Sequence, residues 1–333
     1  MRTASTYALL VTANVAAWVW AALAFGQRPS LWSLAVLAYI FGLRHAFDAD
    51  HIAAIDNVVR KLLQQGRNAT AVGLFFSLGH STVVVLACAV IAASGAPLQR
   101  RLESLHDIGA VIGTSVSAIF LLLIGLFNLF VLRRTWMTFR SVHRGERTLD
   151  AGLGDALTAG GPLARLCRPL LRLVSRSWHM YPVGLLFGLG FDTATEVGLL
   201  SISAQSSMQG APVTSVLVLP ALFTAGMSLM DTTDSVLMTG AYGWAFVHPL
   251  RKLWYNLTIT AASVLVALCI GSVEAAALVA ERFHLQGGVW GIVAGLNDDL
   301  SSLGYLVVGI FLASWVLSIA VYRLKRFDRV AAG

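Results

Sequence analysis

Long apolar segments constrain this chain more than any other feature of its sequence. A helix needs about 20 mainly apolar residues to cross the hydrocarbon core of a membrane. Eight stretches meet that length, and they lie at residues 7–26, 33–57, 70–94, 109–132, 181–204, 213–240, 254–280 and 302–322. Only 12% of the residues are charged, against about a quarter in a soluble domain. Helices satisfy their own backbone hydrogen bonds in lipid. The sequence therefore predicts an all-α integral membrane protein with about eight transmembrane helices, forming one domain over residues 1–333.

The basic residues predict the orientation of these helices. If the N-terminus is cytoplasmic, nineteen Lys and Arg residues fall on the cytoplasmic side and four on the outer side. Such a bias is what the positive-inside rule requires. Both termini are then cytoplasmic, and residues 133–179 form a long basic cytoplasmic loop carrying one or two surface helices. The net charge of +7 is thus a topology signal and does not indicate a nucleic-acid partner. The first stretch could instead be a cleaved signal peptide, but its length and its Trp18 and Trp20 favour a retained helix.

Ionisable side chains interrupt four of the apolar stretches. Each costs about 2.5 to 3.5 kcal/mol at the centre of a membrane helix, so such residues usually mark a functional path. They are His45, Asp48, Asp50 and His51 in the second stretch, His80 in the third, Asp192 and Glu196 in the fifth, and Asp231 and Asp234 in the sixth. A structural ion-pair network would explain Arg44 beside an aspartate. It would leave the histidines and the other carboxylates unexplained.

The spacing of these residues indicates which of them share a helix face. The carboxylates of the fifth stretch are four residues apart and those of the sixth are three apart, so each pair lies on one face. His45 and His51 are six apart, about 120° around an ideal helix, so a straight helix would not bring both to one ion. Either the second helix is locally unwound, or the two histidines bind successive positions of a moving ion. Asp56 and Asn57 either join this site or cap the helix.

Imidazoles combined with carboxylates favour a divalent first-row transition metal. Imidazole suits nickel, zinc, copper and iron, whereas carboxylate alone suits magnesium, calcium or manganese. Because the neutral form of histidine binds the metal, affinity should fall as the pH drops. His80 by itself could equally make an interhelical hydrogen bond.

Two pairs of segments also predict an internal repeat. Residues 76–81 (Phe-Ser-Leu-Gly-His-Ser) match residues 223–228 (Phe-Thr-Ala-Gly-Met-Ser), and the Phe-Gly-Leu and Phe-Asp elements of residues 41–48 recur in residues 187–192. In the proposed topology the matching helices run in opposite directions. Inverted repeats of this kind are common in secondary transporters, although a channel or a membrane enzyme can also be built from one.

At these motifs the sequence resembles the nickel/cobalt transporter (NiCoT) family. The matching motifs are Arg-His-Ala-Phe-Asp-Ala-Asp-His-Ile at 44–52, Leu-Gly-His-Ser-Thr-Val-Val at 78–84, Leu-Gly-Phe-Asp-Thr-Ala-Thr-Glu at 189–196 and Gly-Met-Ser-Leu-Met-Asp-Thr-Thr-Asp at 226–234. The resemblance implies an eight-helix permease for high-affinity uptake of nickel, cobalt or both. It implies that the histidines and aspartates of the second helix are essential. It also places Asn14, in the first helix, near the second-helix histidine and gives it an influence on ion choice.

The expected function is secondary transport of nickel or cobalt ions across a bacterial inner membrane, with the metal as substrate and no cofactor. No Gly-Lys-Ser phosphate-binding loop occurs, so no obligatory ATPase subunit is expected. One alternative is metal efflux, but the 133–179 loop contains only His143 and His179 and is not histidine-rich. A second alternative is an intramembrane metal-dependent enzyme, which would typically need a His-Glu-x-x-His helix; none is present. The preference between nickel and cobalt stays open.

Overall fold

The computed structural model describes most of the chain, and nearly all of the described part is helical. The described residues are 3–26, 29–144, 174–190, 193–208, 210–245, 249–299, 304–311, 313–314 and 316–317. Within them the helices are α1 (Thr3–Phe25), α2 (Pro29–His45), α3 (Ala49–Gln64), α4 (Val72–His143), α5 (Met180–Phe187), α6 (Ala194–Met208), α7 (Val213–Val216), α8 (Val218–Ala245), α9 (Pro249–Arg282) and α10 (Gly288–Asp298), with a 3-10 turn at Ser177–His179. No strand occurs in this part of the chain, which confirms the all-α prediction.

Among the described residues, five helical segments are long and apolar enough to cross a membrane. They are Thr3–Phe25, Val72–Ala93, Gly109–Arg134, Val213–Tyr242 and Thr260–Arg282. Of the other three predicted stretches, those at 33–57 and 181–204 are each interrupted, and the one at 302–322 is described only in part. The first residues of the predicted 133–179 loop are helical, since α4 continues to His143, and residues 145–173 lie outside the described part of the chain.

The second predicted helix is broken where its ionisable residues are densest. Helix α2 ends at His45 and α3 begins at Ala49. Between them the Phe47 and Asp48 amides donate at 2.9 Å to the carbonyls of Arg44 and His45, forming a tight turn. The second predicted helix is therefore locally unwound, which was one of the two alternatives that the spacing of the histidines allowed.

A close approach by a later segment covers this turn. A Cβ built on Gly304 would lie only 1.5 Å from the Phe47 carbonyl oxygen, so only glycine allows the two backbones to meet there. The rings of Phe47 and Tyr305 stack beside that contact, with centroids 5.3 Å apart. The start of the eighth predicted stretch thus packs on the break.

The fifth predicted helix is interrupted in the corresponding place. Helix α5 ends at Phe187 and α6 begins at Ala194, and the Gly190 amide donates to the Phe187 carbonyl in a turn. Phe191 and Asp192 lie outside the described residues. Both interruptions fall in the Phe-Gly-Leu and Phe-Asp segments that suggested the repeat.

Helix α4 folds back on itself. The ring of Phe187 lies 5.3 Å from that of Phe76 and 5.8 Å from that of Phe120, measured between centroids. A straight helix would separate Phe76 from Phe120 by about 66 Å. The chain must therefore reverse between them, which sets the two apolar spans of α4 side by side around α5.

Glycines let the helices that carry the ionisable residues approach closely. A Cβ on Gly42 of α2 would lie 2.1 Å from the Phe223 carbonyl oxygen of α8, and one on Gly79 of α4 would lie 1.9 Å from the Tyr181 carbonyl oxygen of α5. Small residues at helix crossings are a common device for membrane helices, because they bring backbones together. These crossings lie three residues before His45 and one residue before His80, so they fix the position of both side chains.

Candidate metal centre

Three histidines from three helices converge in the interior. His45 is the last residue of α2, His51 lies in the first turn of α3, and His80 lies in the first span of α4. Their ring centroids are 4.5 to 4.9 Å apart, and each residue is at most 3% exposed. One nitrogen from each ring can be chosen so that all three lie within 4.8 Å of one another. The structure thus brings together the three histidines that the sequence singled out.

The break between α2 and α3 makes this convergence possible. In a continuous helix His45 and His51 would point about 120° apart. The turn at Ala46–Asp48 instead brings the two rings edge to face, with centroids 4.5 Å apart. Nε2 of His45 then lies 2.9 Å from Nε2 of His80.

Carboxylates and hydroxyls surround the histidines. Asp48 Oδ2 lies 2.6 Å from His45 Nδ1. Glu196 Oε1 lies 2.8 Å from His80 Nε2 and 3.9 Å from His45 Nε2. Asp231 Oδ2 is 3.7 Å from His51 Nδ1. Three carboxylates therefore face the cluster from α8, from the start of α6 and from the α2–α3 turn.

The contact between Asp48 and His45 orients the imidazole. An Nδ1 proton directed toward the carboxylate would leave the lone pair of Nε2 facing the other two rings. Carboxylates that hold a metal-binding histidine in this way fix its tautomer and raise its basicity. Asp48 is therefore close enough to orient His45, and both of its carboxylate oxygens lack a hydrogen-bond partner among the described residues.

Several polar atoms in the centre have no hydrogen-bond partner within the described part of the chain. They are both ring nitrogens of His51, Nδ1 of His80 and both carboxylate oxygens of Asp48 and of Asp231. Buried polar groups without partners cost free energy, and a cation is the guest that would satisfy imidazole and carboxylate together. Three imidazoles with neighbouring carboxylates suit nickel, cobalt or zinc better than a harder cation.

The structure places the remaining predicted site residues less centrally. Asp50 lies beside His51 and is partly exposed. Asp234 lies one turn beyond Asp231, and its buried Oδ2 has no hydrogen-bond partner in the described part of the chain. Asp192 lies outside the described residues.

Asn14 makes its described contacts away from the histidines. Its side-chain amide donates to the carbonyls of Leu10 and Ala225, and its oxygen accepts a 2.9 Å hydrogen bond from the Tyr39 hydroxyl. Asn14 therefore joins α1 to α2 and α8 through hydrogen bonds.

Two threonines belong to the site although the sequence reasoning did not single them out. Thr193 donates a 2.9 Å hydrogen bond to Glu196 Oε2. The Thr195 hydroxyl lies 3.2 Å from Nδ1 of His45. Both are part of the motif at 189–196, but threonine is common in membrane helices and its type alone does not predict such a contact.

The comparisons with known proteins agree with this chemistry. A family model described as high-affinity nickel-transport protein matches residues 31–321. The chain is 53% identical over 322 residues to a high-affinity nickel transport protein of Cupriavidus necator, covering 97% of this chain and 92% of that one. It is 45% identical over 298 residues to a nickel transporter of Staphylococcus aureus, covering 90% and 87%. It is also 41% identical over 294 residues to a cobalt transport protein of Rhodococcus rhodochrous, covering 87% and 82%. No solved structure gives a significant match.

Proposed function

Because this chain belongs to the family of high-affinity nickel-transport proteins, we propose that it is a permease that takes up nickel or cobalt ions across the bacterial inner membrane. The observation that carries the proposal is the buried convergence of His45, His51 and His80. The relatives named for nickel and for cobalt support both ions as substrates. The metal is the cargo, and the protein needs no cofactor.

The three histidines are the proposed ligands of the ion in transit. Glu196 and Asp231 supply negative charge beside them, at 2.8 and 3.7 Å from the nearest imidazole nitrogen. Asp48 orients His45. Further proposed members are Asp50, Asp192, Asp234 and Asn14: the aspartates as charged groups along the ion path, and the asparagine as an influence on ion choice.

The proposed architecture is a single domain of eight transmembrane helices with both termini in the cytoplasm. Two interrupted helices at corresponding places in the sequence support an inverted repeat, and discontinuous helices often carry the ion sites of secondary transporters. The basic segment 133–179 would lie on the cytoplasmic side.

The proposed mechanism uses no nucleotide and no separate ATPase subunit. The histidines replace water around the ion, and the carboxylates offset its charge in a region of low dielectric constant. An inside-negative membrane potential favours inward movement, at about 2.3 kcal/mol per charge per 100 mV. One repeat rocking against the other would then expose the ion to the cytoplasm.

Uptake of radiolabelled nickel and cobalt at nanomolar concentration tests this function. Cells lacking their own importers would express the wild type, His45→Ala or the control His284→Asn at matched membrane levels. We expect accumulation by the wild type and by the control but not by His45→Ala, and competition between the isotopes ranks the ions. If the wild type accumulates no more metal than cells without the protein, the proposal of uptake is wrong. If it lowers the metal content of preloaded cells, the direction is efflux.

A further inference from the structure

Helix α3 is unusual because it is polar and yet buried on all sides. Every residue from His51 to Leu62 is buried, and this run includes Asp56, Asn57 and Arg60, each at most 1% exposed. Helices α4, α8 and α9 pack around it. Any ion that leaves the histidine cluster along α3 must therefore pass these polar side chains.

Asp56 accepts hydrogen bonds from two other helices. The Tyr242 hydroxyl of α8 donates a 2.7 Å hydrogen bond to Oδ1, and the Ser263 hydroxyl of α9 donates a 2.6 Å hydrogen bond to Oδ2. Asp56 lies five residues after His51, about 7.5 Å further along the helix axis. Both of its oxygens are thus occupied by donors from outside α3, just beyond the metal centre.

Asn57 ties the same level of α3 to the second span of α4. Its side-chain oxygen accepts hydrogen bonds from the Asn128 amide and, at 2.8 Å, from Nη2 of Arg60. Its own amide donates to the Ala53 carbonyl. The two adjacent residues Asp56 and Asn57 therefore connect α3 to α4, α8 and α9 in one layer.

Arg60 adds a positive charge to this layer. It is the largest fully buried side chain in the described part of the chain, and its Nε and Nη1 have no hydrogen-bond partner there. It lies nine residues beyond His51, about 13.5 Å along the axis. The guanidinium charge repels a divalent cation, as arginine does in pores that exclude cations, and the nearby Asp56 carboxylate offsets it in part.

We propose that these six residues form the inner gate of the permease, closed in this structure, and that Tyr242 and Ser263 hold it closed by binding the Asp56 carboxylate. The gate comprises Asp56, Asn57, Arg60, Asn128, Tyr242 and Ser263. When α8 and α9 move away from α3, Asp56 is freed to pair with Arg60, one helical turn further on. That pairing brings the carboxylate against the guanidinium, offsets the positive charge more fully and opens the path from the histidines. The proposal rests on the proposed function and on its orientation, in which the end of α3 faces the cytoplasm.

Cysteine accessibility tests the gate directly. A cysteine at position 53 lies between the metal centre and Asp56, where Ala53 is fully buried. The three native cysteines would be replaced, Ala53→Cys introduced, and labelling by a membrane-impermeant cationic methanethiosulfonate timed in inside-out and right-side-out vesicles. We expect slow labelling with an intact gate. In the double variant Tyr242→Phe and Ser263→Ala, the introduced cysteine should be labelled at least tenfold faster, and only in inside-out vesicles.

The matched control is Tyr181→Phe, which removes another interhelical hydroxyl contact, that with Thr82 between α5 and α4. It should leave the labelling rate unchanged. Ser263→Ala alone provides a milder variant if the pair fails to accumulate in the membrane. An unchanged rate in a folded double variant would overturn the gate. An equal increase of the labelling rate in Tyr181→Phe would also overturn it. So would a faster labelling of the double variant in right-side-out vesicles.

This measurement contains no nickel or cobalt. A wild type that transports no metal would defeat the proposed function while leaving the labelling result interpretable. Conversely, normal uptake with unchanged labelling would defeat the gate alone.

Discussion

Two polar clusters share helix α3, and they differ in how well their atoms are paired. At its start, both nitrogens of His51 and both oxygens of Asp231 have no hydrogen-bond partner among the described residues. At the level of Asp56, both carboxylate oxygens accept hydrogen bonds from neighbouring helices. Unpaired buried groups are costly and paired ones hold helices together. His51 and Asp231 are therefore left to receive a guest, whereas Asp56 joins helices. Arg60, whose Nε and Nη1 have no partner among the described residues, is the exception in the second cluster.

The sharpest test of this contrast is His51→Ala. It removes a ring that contacts both other histidines but makes no described hydrogen bond, so the ion loses a ligand while no hydrogen bond between helices is broken. We expect the affinity for nickel to fall by about 100-fold or more, as for other losses of a ligand or of its direct support. Calorimetric titration of the purified protein with nickel measures this.

The control for His51→Ala is His284→Asn. His284 is exposed and has a φ of 53°, a left-handed conformation that asparagine tolerates. The nickel affinity of the His284→Asn protein should equal that of the wild type. A His51→Ala protein that binds nickel as tightly as the wild type would remove His51 from the centre.

A smaller effect is expected for Asp48→Asn. The amide keeps the size of the side chain but loses the charge that orients His45 across 2.6 Å, so affinity should fall about 10- to 100-fold. Asp50→Asn, two residues away and partly exposed, is the matched comparison and should lose less. Equal losses in nickel titrations would show that Asp50 contributes as much as Asp48.

The pH dependence of nickel binding tests whether the histidine cluster holds the ion through neutral imidazoles. Protons compete with the metal for imidazole nitrogens, so affinity is highest where the histidines are neutral and falls as the pH falls. Each proton displaced by the ion contributes about tenfold per pH unit. The affinity measured in nickel titrations should therefore fall steadily from pH 8 to pH 6. A flat profile would contradict binding by neutral histidines.

The smallest effect is expected for Asn14→Ala. This change removes hydrogen bonds to Tyr39 and to the Ala225 carbonyl, so it acts on α2 and α8 rather than on the ion. We expect a shift of a few-fold in the ratio of nickel to cobalt uptake, with total uptake retained, since each lost hydrogen bond is worth about 1 kcal/mol. Tyr39→Phe should reproduce part of the shift. A loss of all uptake would place Asn14 in the ion path.

The sequence predicted which ionisable residues lie together better than it predicted the shape of the helices that carry them. The cost of burying charge singled out the histidines, Glu196 and Asp231, and the structure brings all of them together. The break at Ala46–Asp48 was only one of two alternatives, because this segment contains no glycine or proline to mark it. The spacing of the two histidines was the sole clue.

The partners of Asp56 were beyond the reach of sequence reasoning. Tyr242 and Ser263 are 186 and 207 residues away from it along the chain. A hydroxyl in a membrane helix can equally bond its own backbone, as Thr233 does with Leu229, so residue type does not identify a long-range donor. Only the packing of α8 and α9 on α3 identifies these two.

The distance along the chain between His80 and Glu196 also matters while the protein is being made. The two side chains meet at 2.8 Å but are 116 residues apart in sequence. At about 5 to 20 residues per second, a ribosome needs roughly 6 to 23 seconds to synthesise the stretch between them. During that interval the nascent histidine is already in or near the membrane without its acidic neighbour. We therefore expect biogenesis of the permease to depend on an insertion machinery that keeps the early helices in contact with water, or with one another, until α6 emerges.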